Sequence, residues 1–249
     1  MNLKQIIKKY IFKKNNRLLT VGTLNESTRI HWLEEVLNKI PAGSKILDAG
    51  AGEQPFKKFC AHLQYVSQDF AQYKPENLNS GLQMVEWDYG QLDIISDIAS
   101  IPREDKTFDA IMCTEVFEHI VNPREAIKEF SRLLKSGGCL IITAPFCSLT
   151  HFAPYHFYSG FNRFFYDEEL GKNGFETIDI IPNGNYFEYL AQEVNRLPFI
   201  AKQYSNRKLI KTEKNAINKL QRLLQNLSDA DSNSSELLCF GYHVLARKK

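Results

Sequence analysis

The residues best suited to ligand chemistry lie in the short segment D-A-G-A-G and in an acid that follows it. Asp48 precedes Gly50 and Gly52, and Asp69 follows Gly52 by 17 residues. Glycines at the carboxyl end of a strand let a ligand approach the backbone, and an acid about 20 residues later can accept hydrogen bonds from a ribose diol. The spacing therefore predicts a nucleoside site.

The residues around the glycines argue against a phosphate site. The dinucleotide fingerprint needs a third glycine where this chain has Pro55, and no G-K-[ST] follows that would mark a P-loop. What remains is a nucleoside with a free diol and, beside Asp48, a cationic amino group. S-Adenosylmethionine has these groups and no phosphate. A nicotinamide-dependent oxidoreductase stays open as the alternative.

Apolar strands alternate with amphipathic helices around these residues. We predict strands at 45–48, 63–69, 92–97, 108–113, 139–144, 174–181 and 237–246. Helices are predicted at 27–39, 123–134 and 167–173, followed by a long helical stretch to about residue 227. The segment 135–138, K-S-G-G, is predicted to end the second helix. This alternation favours an α/β fold with helices on both faces of a parallel sheet.

Residues 44–145 resemble the class I S-adenosylmethionine-dependent methyltransferases, specifically the small-molecule group. The resemblance is carried, in order, by D-A-G-A-G, Y-V-S-Q-D, S-D-I-A-S-I-P, F-D-A-I-M-C-T-E-V-F-E-H-I and L-L-K-S-G-G-C-L-I-I-T-A-P. It implies a Rossmann-like, doubly wound, seven-stranded sheet that is mostly parallel with an antiparallel last strand. It also implies methyl transfer, with S-adenosyl-L-methionine as the cofactor.

The resemblance assigns cofactor contacts to nine residues. It places Asp48 near the amino group, the backbone of Gly50 and Gly52 against the cofactor, and Asp69 on the ribose. The remaining residues are Phe70 beside the adenine, Asp97 and the Ile98 N–H at its polar edge, and Thr114 and Glu115 at the methionine portion. Local capping or pairing is the alternative for Asp48 and Asp97.

The candidates for catalysis follow the fifth strand in H-F-A-P-Y-H-F-Y. Transfer to a hydroxyl benefits from a general base, and His151 and His156 are the candidate bases. Tyr155 and Tyr158 would complete a polar, aromatic rim that can stack on a sugar or a ring. The alternative is a packed aromatic loop with incidental histidines. His119 is expected to have a structural or cofactor-side role.

The loop A-P-Y-H-F-Y-S-G-F-N-R-F-F also resembles the acceptor loop of methyltransferases of bacterial surface-glycan biosynthesis. This resemblance implies O-methylation of a sugar or related small molecule, such as a glycan intermediate met at the cytoplasmic face of the inner membrane. Methylation of RNA or protein, and a non-catalytic scaffold that binds the cofactor, are the alternatives. A DNA partner is not expected.

The chain has 249 residues and a formal net charge of +2, which favours a single globular domain and does not by itself indicate nucleic acid. We predict a helical segment at 1–40 and a methyltransferase domain at 41–249 with a helical insertion at about 185–230. Residues 1–17 form a basic amphipathic pattern that either packs on the domain or lies on an anionic membrane. An apolar stripe in 202–227 packs on the domain, forms a homodimer face or covers the acceptor.

The spacing of the cysteines and histidines indicates the cellular compartment of the protein and whether its reaction needs a metal ion. The five cysteines are scattered without a C-x-x-C pair, which favours reduced thiols in the cytoplasm. No apolar run is long enough for a membrane-spanning helix, and no signal peptide is evident. No metal-ligand motif is evident, so a metal-independent reaction is predicted.

Overall fold

The computed structural model describes residues 19–75, 81–84 and 86–249. The predicted basic helix at 1–17 lies outside these residues. The strands are β1 (Lys45–Ala49), β2 (Gln64–Asp69), β3 (Ile94–Ile95), β4 (Phe108–Thr114), β5 (Leu134–Pro145), β6 (Phe175–Asn183) and β7 (Gly241–Lys248). The α-helices are α1 (Asn25–Leu37), α2 (Pro123–Leu133), α3 (Arg163–Lys172), α4 (Tyr186–Tyr204) and α5 (Lys211–Asp229).

The strands form one sheet in the order β3-β2-β1-β4-β5-β7-β6. β7 is antiparallel to both β5 and β6, and the pairs from β3 to β5 are parallel. This arrangement confirms the predicted Rossmann-like sheet with an antiparallel last strand. The order reverses beside β1, and in open α/β sheets ligands bind at such a switch point, outside the carboxyl ends of the strands.

Alternate side chains of the central strands face two separate core layers. Leu47 and Ile111 pack with α2 and α3, where Phe130 is fully buried. Ile46 and Met112 face the other side and pack against α1. Because successive strand residues point to opposite faces, this pattern buries the sheet between two layers of helices.

Helices α4 and α5 occupy the connection between β6 and β7, with residues 205–210 separating them. The single long helical stretch that we predicted is therefore two helices. Leu224 of the predicted apolar stripe is buried against Ala191 and Val194 of α4, whereas Leu223 is 51% exposed. The stripe thus packs on the domain in part. Among the described helices, none has the length and apolar composition needed to cross a bilayer.

Several element boundaries differ from the sequence predictions, and α3 and β7 each begin four residues from the predicted position, at Arg163 and Gly241. β3 contains only Ile94 and Ile95, because pairing with β2 is limited to two residues at the sheet edge. β5 begins at Leu134, directly after α2, so residues 135–138 extend the strand and do not form a separate stop. The carboxyl end of β5 stays within one residue of its prediction, whereas β3 ends two residues earlier than predicted, so Asp97 and Ile98 lie in the segment that follows the strand.

Candidate functional site

A cavity of about 940 Å³ opens at the carboxyl ends of β1, β2 and β4. Its wall also includes α1, the segment that follows β3, and the loop that follows β5. All nine residues that the resemblance assigned to the cofactor line it, namely Asp48, Gly50, Gly52, Asp69, Phe70, Asp97, Ile98, Thr114 and Glu115. The structure therefore brings the whole predicted set to one cavity.

The glycine turn after β1 has a backbone that favours glycine. Gly50 and Gly52 have φ values of +78° and +51°. A Cβ at Gly50 would lie 2.5 Å from Cγ2 of Val116, and one at Gly52 would lie 2.9 Å from the Trp87 ring. The Gly50 N–H donates to the Gln68 carbonyl at 2.8 Å, so the turn is held against the end of β2.

Asp69 is the last residue of β2 and is held by backbone donors. Its Oδ2 accepts the Gly52 N–H at 2.9 Å, and its Oδ1 accepts the Ala71 N–H at 3.0 Å. Burial raises the pKa of Asp69, and these backbone hydrogen bonds oppose the rise. Each carboxylate oxygen has a second lone pair, so the group can still accept hydrogen bonds from a ligand in the cavity.

Asp48, in β1, is buried and accepts a hydrogen bond of 2.6 Å from the Tyr65 hydroxyl at Oδ2. Burial raises the pKa of Asp48 to about 7, the Tyr65 hydrogen bond opposes this shift, and the charge of Asp69 adds to it. A buried carboxyl with such a pKa would become ionised on meeting a cation, as the predicted contact with an ammonium group requires.

The segment that follows β3 contains Asp97 and Ile98, two of the residues predicted to contact the adenine. Oδ1 of Asp97 accepts the Ala99 N–H at 2.8 Å, which is the local cap left open as the alternative. Asp97 is nevertheless exposed and lines the cavity. Its Oδ2 does not take part in the bond to Ala99 and can accept a hydrogen bond from a ligand. Phe70 and Ile98 add apolar surface nearby, so this part of the wall suits a flat heterocycle.

The end of β4 places two polar side chains in the cavity wall. Oγ1 of Thr114 is buried, with no hydrogen-bond partner among the described residues. Oε2 of Glu115 lies 3.1 Å from Nη1 of Arg29, which α1 contributes. The Nε of Arg29 is likewise buried and unpartnered within the described part of the chain. Buried polar atoms usually have partners, so these two unpartnered atoms, in residues that line the cavity, are candidates for contact with a ligand.

The turn after β4 and the loop after β5 bring Glu118, His119 and His151 together. Phe117, fully buried against Phe130 and Phe161, fixes this turn. Oε1 of Glu118 lies 3.7 Å from Nε2 of His119 and 3.8 Å from Nε2 of His151. All three residues line the cavity.

Burial sets the protonation of these three side chains. It lowers the pKa of His119 to about 3, assisted by the neighbouring His151, and lowers that of His151 as well. Burial also raises the pKa of Glu118 well above its usual range, and nearby Glu115 adds to the shift. Both histidines are therefore neutral near pH 7 and have a nitrogen lone pair to offer.

The three catalytic candidates occupy different positions. His151 and Tyr155 line the cavity, and the Tyr155 ring lies 4.9 Å from that of Phe70. His156 is not part of the cavity wall, because its Nε2 lies 3.1 Å from Oγ of Ser148. The Tyr158 hydroxyl donates to the Val121 carbonyl at 2.9 Å and holds the loop in place. The structure thus brings His151 and Tyr155 to the site but not His156.

Several cavity residues were not predicted from the sequence. Arg29 is 86 positions from Glu115, and no local pattern marks it. Glu118 had a usable signal in the sequence, since it stands beside His119 and only four residues after the end of β4. Tyr73, Trp87 and Phe152 form an aromatic cluster with ring centroids 4.5 Å (Tyr73–Phe152) and 4.9 Å (Trp87–Phe152) apart, and all three face the cavity.

Comparison with known proteins gives a family match for the central part of the chain. Residues 47–142 match the family model described as a methyltransferase domain. Over 107 residues the chain is 33% identical to the ubiquinone biosynthesis O-methyltransferase of Xanthomonas axonopodis pv. citri. That match covers 41% of this chain and 44% of the relative, so less than half the length of the relative is spanned.

Solved structures share the fold over most of the chain. The cyclase SpnF is 17% identical, with a TM-score of 0.53, covering 87% of this chain and 80% of that protein. A phosphoethanolamine N-methyltransferase 2 from Haemonchus contortus, in complex with S-adenosyl-L-methionine, is 16% identical with a TM-score of 0.50. This likeness covers 94% of this chain and 54% of that protein. At such identities the likeness shows the fold alone.

Proposed function

We propose that this chain, whose residues 47–142 match the methyltransferase-domain family model, is a class I S-adenosylmethionine-dependent methyltransferase that transfers a methyl group to a hydroxyl of a small molecule. The observation that carries the proposal is one cavity lined both by the glycine turn with Asp69 and by the cluster of Glu118, His119 and His151. The named activity of the Xanthomonas relative supports oxygen as the acceptor atom.

The described side chains fit S-adenosyl-L-methionine. Asp69 would accept the ribose hydroxyls, and Asp48 would accept from the ammonium group. The unpartnered Oγ1 of Thr114 and Nε of Arg29 are donors suited to the carboxylate of the methionine portion. The adenine would lie against Phe70, with its polar edge at Asp97 and the Ile98 N–H.

The chain's task is to hold the acceptor in line with the methyl group and to remove a proton. The bound cofactor supplies a methyl group on a positively charged sulfur. As the acceptor oxygen takes the methyl group, the hydroxyl proton would pass to Nε2 of His151, the candidate base that lines the cavity. Holding both reactants in this geometry supplies much of the rate enhancement, and Tyr155 is placed to orient the acceptor.

The acceptor class follows from the aromatic surface of the cavity. Tyr73, Trp87 and Phe152 offer ring faces and edges that suit a sugar or an aromatic ring. Glycan intermediates are the first acceptors to test, since the loop 153–165 resembles those of surface-glycan methyltransferases. Contact of residues 1–17 with the inner membrane belongs to the same proposal. Phenolic acceptors come next because of the ubiquinone-related name of the relatives.

Transfer of tritium from labelled S-adenosyl-L-methionine tests the proposal. Purified protein is incubated with glycan intermediates, phenols, RNA and protein in separate arms. We expect transfer to a hydroxylated small molecule, loss of that transfer in Asp69→Asn, and full transfer in Asp179→Asn, a matched change at an exposed position of β6. Transfer only to RNA or protein, or cofactor binding without transfer in every arm, would contradict the proposal.

A further inference from the structure

We propose that Glu118, His119 and His151 form a binding site for one divalent transition-metal ion in the wall of the cavity. This differs from the metal-independent reaction that the sequence predicts. Each of the three residues offers one ligand atom, and these atoms lie within 4.8 Å of one another; for Glu118 the atom is Oε1, which faces Nε2 of both histidines.

The hydrogen bonds of the two histidines fix which nitrogen faces the cluster with a lone pair. Nδ1 of His119 lies 2.6 Å from the Tyr155 carbonyl oxygen, and Nδ1 of His151 lies 2.8 Å from that of Leu149. A carbonyl oxygen can only accept, so each Nδ1 carries the proton and each neutral ring offers Nε2 as an acceptor. Metal-binding histidines commonly make this bond from their other nitrogen to a backbone carbonyl.

The Glu118 carboxyl is the second observation that indicates an ion. Glu118 is 1% exposed, and its Oε2 has no hydrogen-bond partner among the described residues. Its Oε1 is 3.7 and 3.8 Å from the two Nε2 atoms, which is too long for a hydrogen bond. Three electron-pair donors thus converge in a buried place, an arrangement that a cation would stabilise.

The donor set and its spacing indicate the class of ion. Two imidazoles and one carboxylate suit Zn²⁺ and neighbouring divalent metals, and three protein ligands leave a fourth position open. Ligand bonds of about 2.1 Å put tetrahedral ligand atoms about 3.4 Å apart. Oε1 of Glu118 therefore needs to approach each nitrogen by only a few tenths of an ångström.

The open position would serve the acceptor. Because the three residues line the cavity, an acceptor hydroxyl in the cavity could take the fourth position, and a bound metal lowers the pKa of a coordinated hydroxyl. With the ion bound, the three ligand atoms are occupied and do not act as the base, so the hydroxyl proton leaves to solvent in the open cavity before the oxygen meets the methyl carbon. This role rests on the proposed function, whereas ion binding itself does not.

Metal binding by the full chain tests the site without using activity. Protein stripped with a chelator is titrated with Co²⁺, followed by visible absorption, and with Zn²⁺, followed by calorimetry. We expect one ion per chain, and at least about 100-fold weaker binding in His151→Ala and Glu118→Gln. His156→Ala is the matched control, because that ring lies 4.9 Å from His151 but its Nε2 faces Ser148.

The same titrations can also contradict the metal site. Wild-type protein that binds neither ion at millimolar concentration would overturn the proposal, as would equal affinity in wild type and His151→Ala. Titration of S-adenosylhomocysteine into each sample shows that the variants remain folded. It also separates the two proposals: ligand binding without ion binding refutes the metal site alone, and ion binding without ligand binding refutes the cofactor assignment alone.

Discussion

The buried carboxyl of Asp48 predicts that ligand affinity depends on pH around neutrality. Its pKa is raised to about 7, so the unliganded protein holds it mostly protonated at pH 6 and mostly ionised at pH 8. Binding an ammonium group requires the ionised form. With a pKa of 7, the ionised fraction changes from about one eleventh to about ten elevenths, which is about a tenfold change in apparent affinity, or about 1.4 kcal/mol.

Calorimetry with S-adenosylhomocysteine, which carries the same amino group, measures this effect. We expect about tenfold tighter binding at pH 8 than at pH 6 for the wild type, and no such change for Asp48→Asn. Tyr65→Phe removes the hydrogen bond that favours the ionised form, so the midpoint should move to higher pH. Equal affinities for the wild type at pH 6 and pH 8 would show that Asp48 does not meet the ammonium group.

Three further predictions concern the fold around the site. Gly52→Ala places a Cβ 2.9 Å from the Trp87 ring at a φ of +51°. We expect the free energy of unfolding in urea to fall by about 1–2 kcal/mol and S-adenosylhomocysteine to bind more weakly, and unchanged values would show that this turn does not need glycine. Tyr166 is fully buried, and its hydroxyl has no partner among the described residues; Tyr166→Phe should raise the unfolding free energy by up to about 1 kcal/mol, whereas a loss would reveal a missed partner. Burial lowers the pKa of His243 to about 4, below the usual 6.5, so the stability that the neutral ring contributes is present above pH 6.5 and lost as the pH falls to about 4. We expect the free energy of unfolding in urea to fall by about 3 kcal/mol over this range, and His243→Phe should remove that part of the acid dependence.

The parts of the fold that depend on local pattern could be predicted from the sequence. Apolar strand runs, amphipathic helices and the glycine turn are each written in consecutive residues, so β1, β2, β4 and α2 lie within a residue or two of their predicted bounds. The nine cofactor candidates reach one cavity because parallel strands end at the same edge. Their individual contacts with a cofactor stay predictions.

The parts that depend on long-range contact could not be predicted in this way. Glu118 and His151 meet because β4 and β5 are neighbours and the loop after β5 folds back: the Phe157 N–H donates to the Glu118 carbonyl at 2.8 Å. The same folding turns His156 toward Ser148, although it stands only five positions from His151. Sequence spacing cannot tell which of two loop histidines faces the cavity.

The most direct test of the central claim, that the cavity binds S-adenosyl-L-methionine through Asp69, is calorimetric titration of the wild type and Asp69→Ala. The ligands are S-adenosyl-L-methionine, S-adenosylhomocysteine and NADH. We expect binding of both adenosyl ligands by the wild type, at least tenfold weaker binding by Asp69→Ala, and no binding of NADH. Binding of NADH alone, or equal affinity of both proteins for S-adenosylhomocysteine, would contradict that claim.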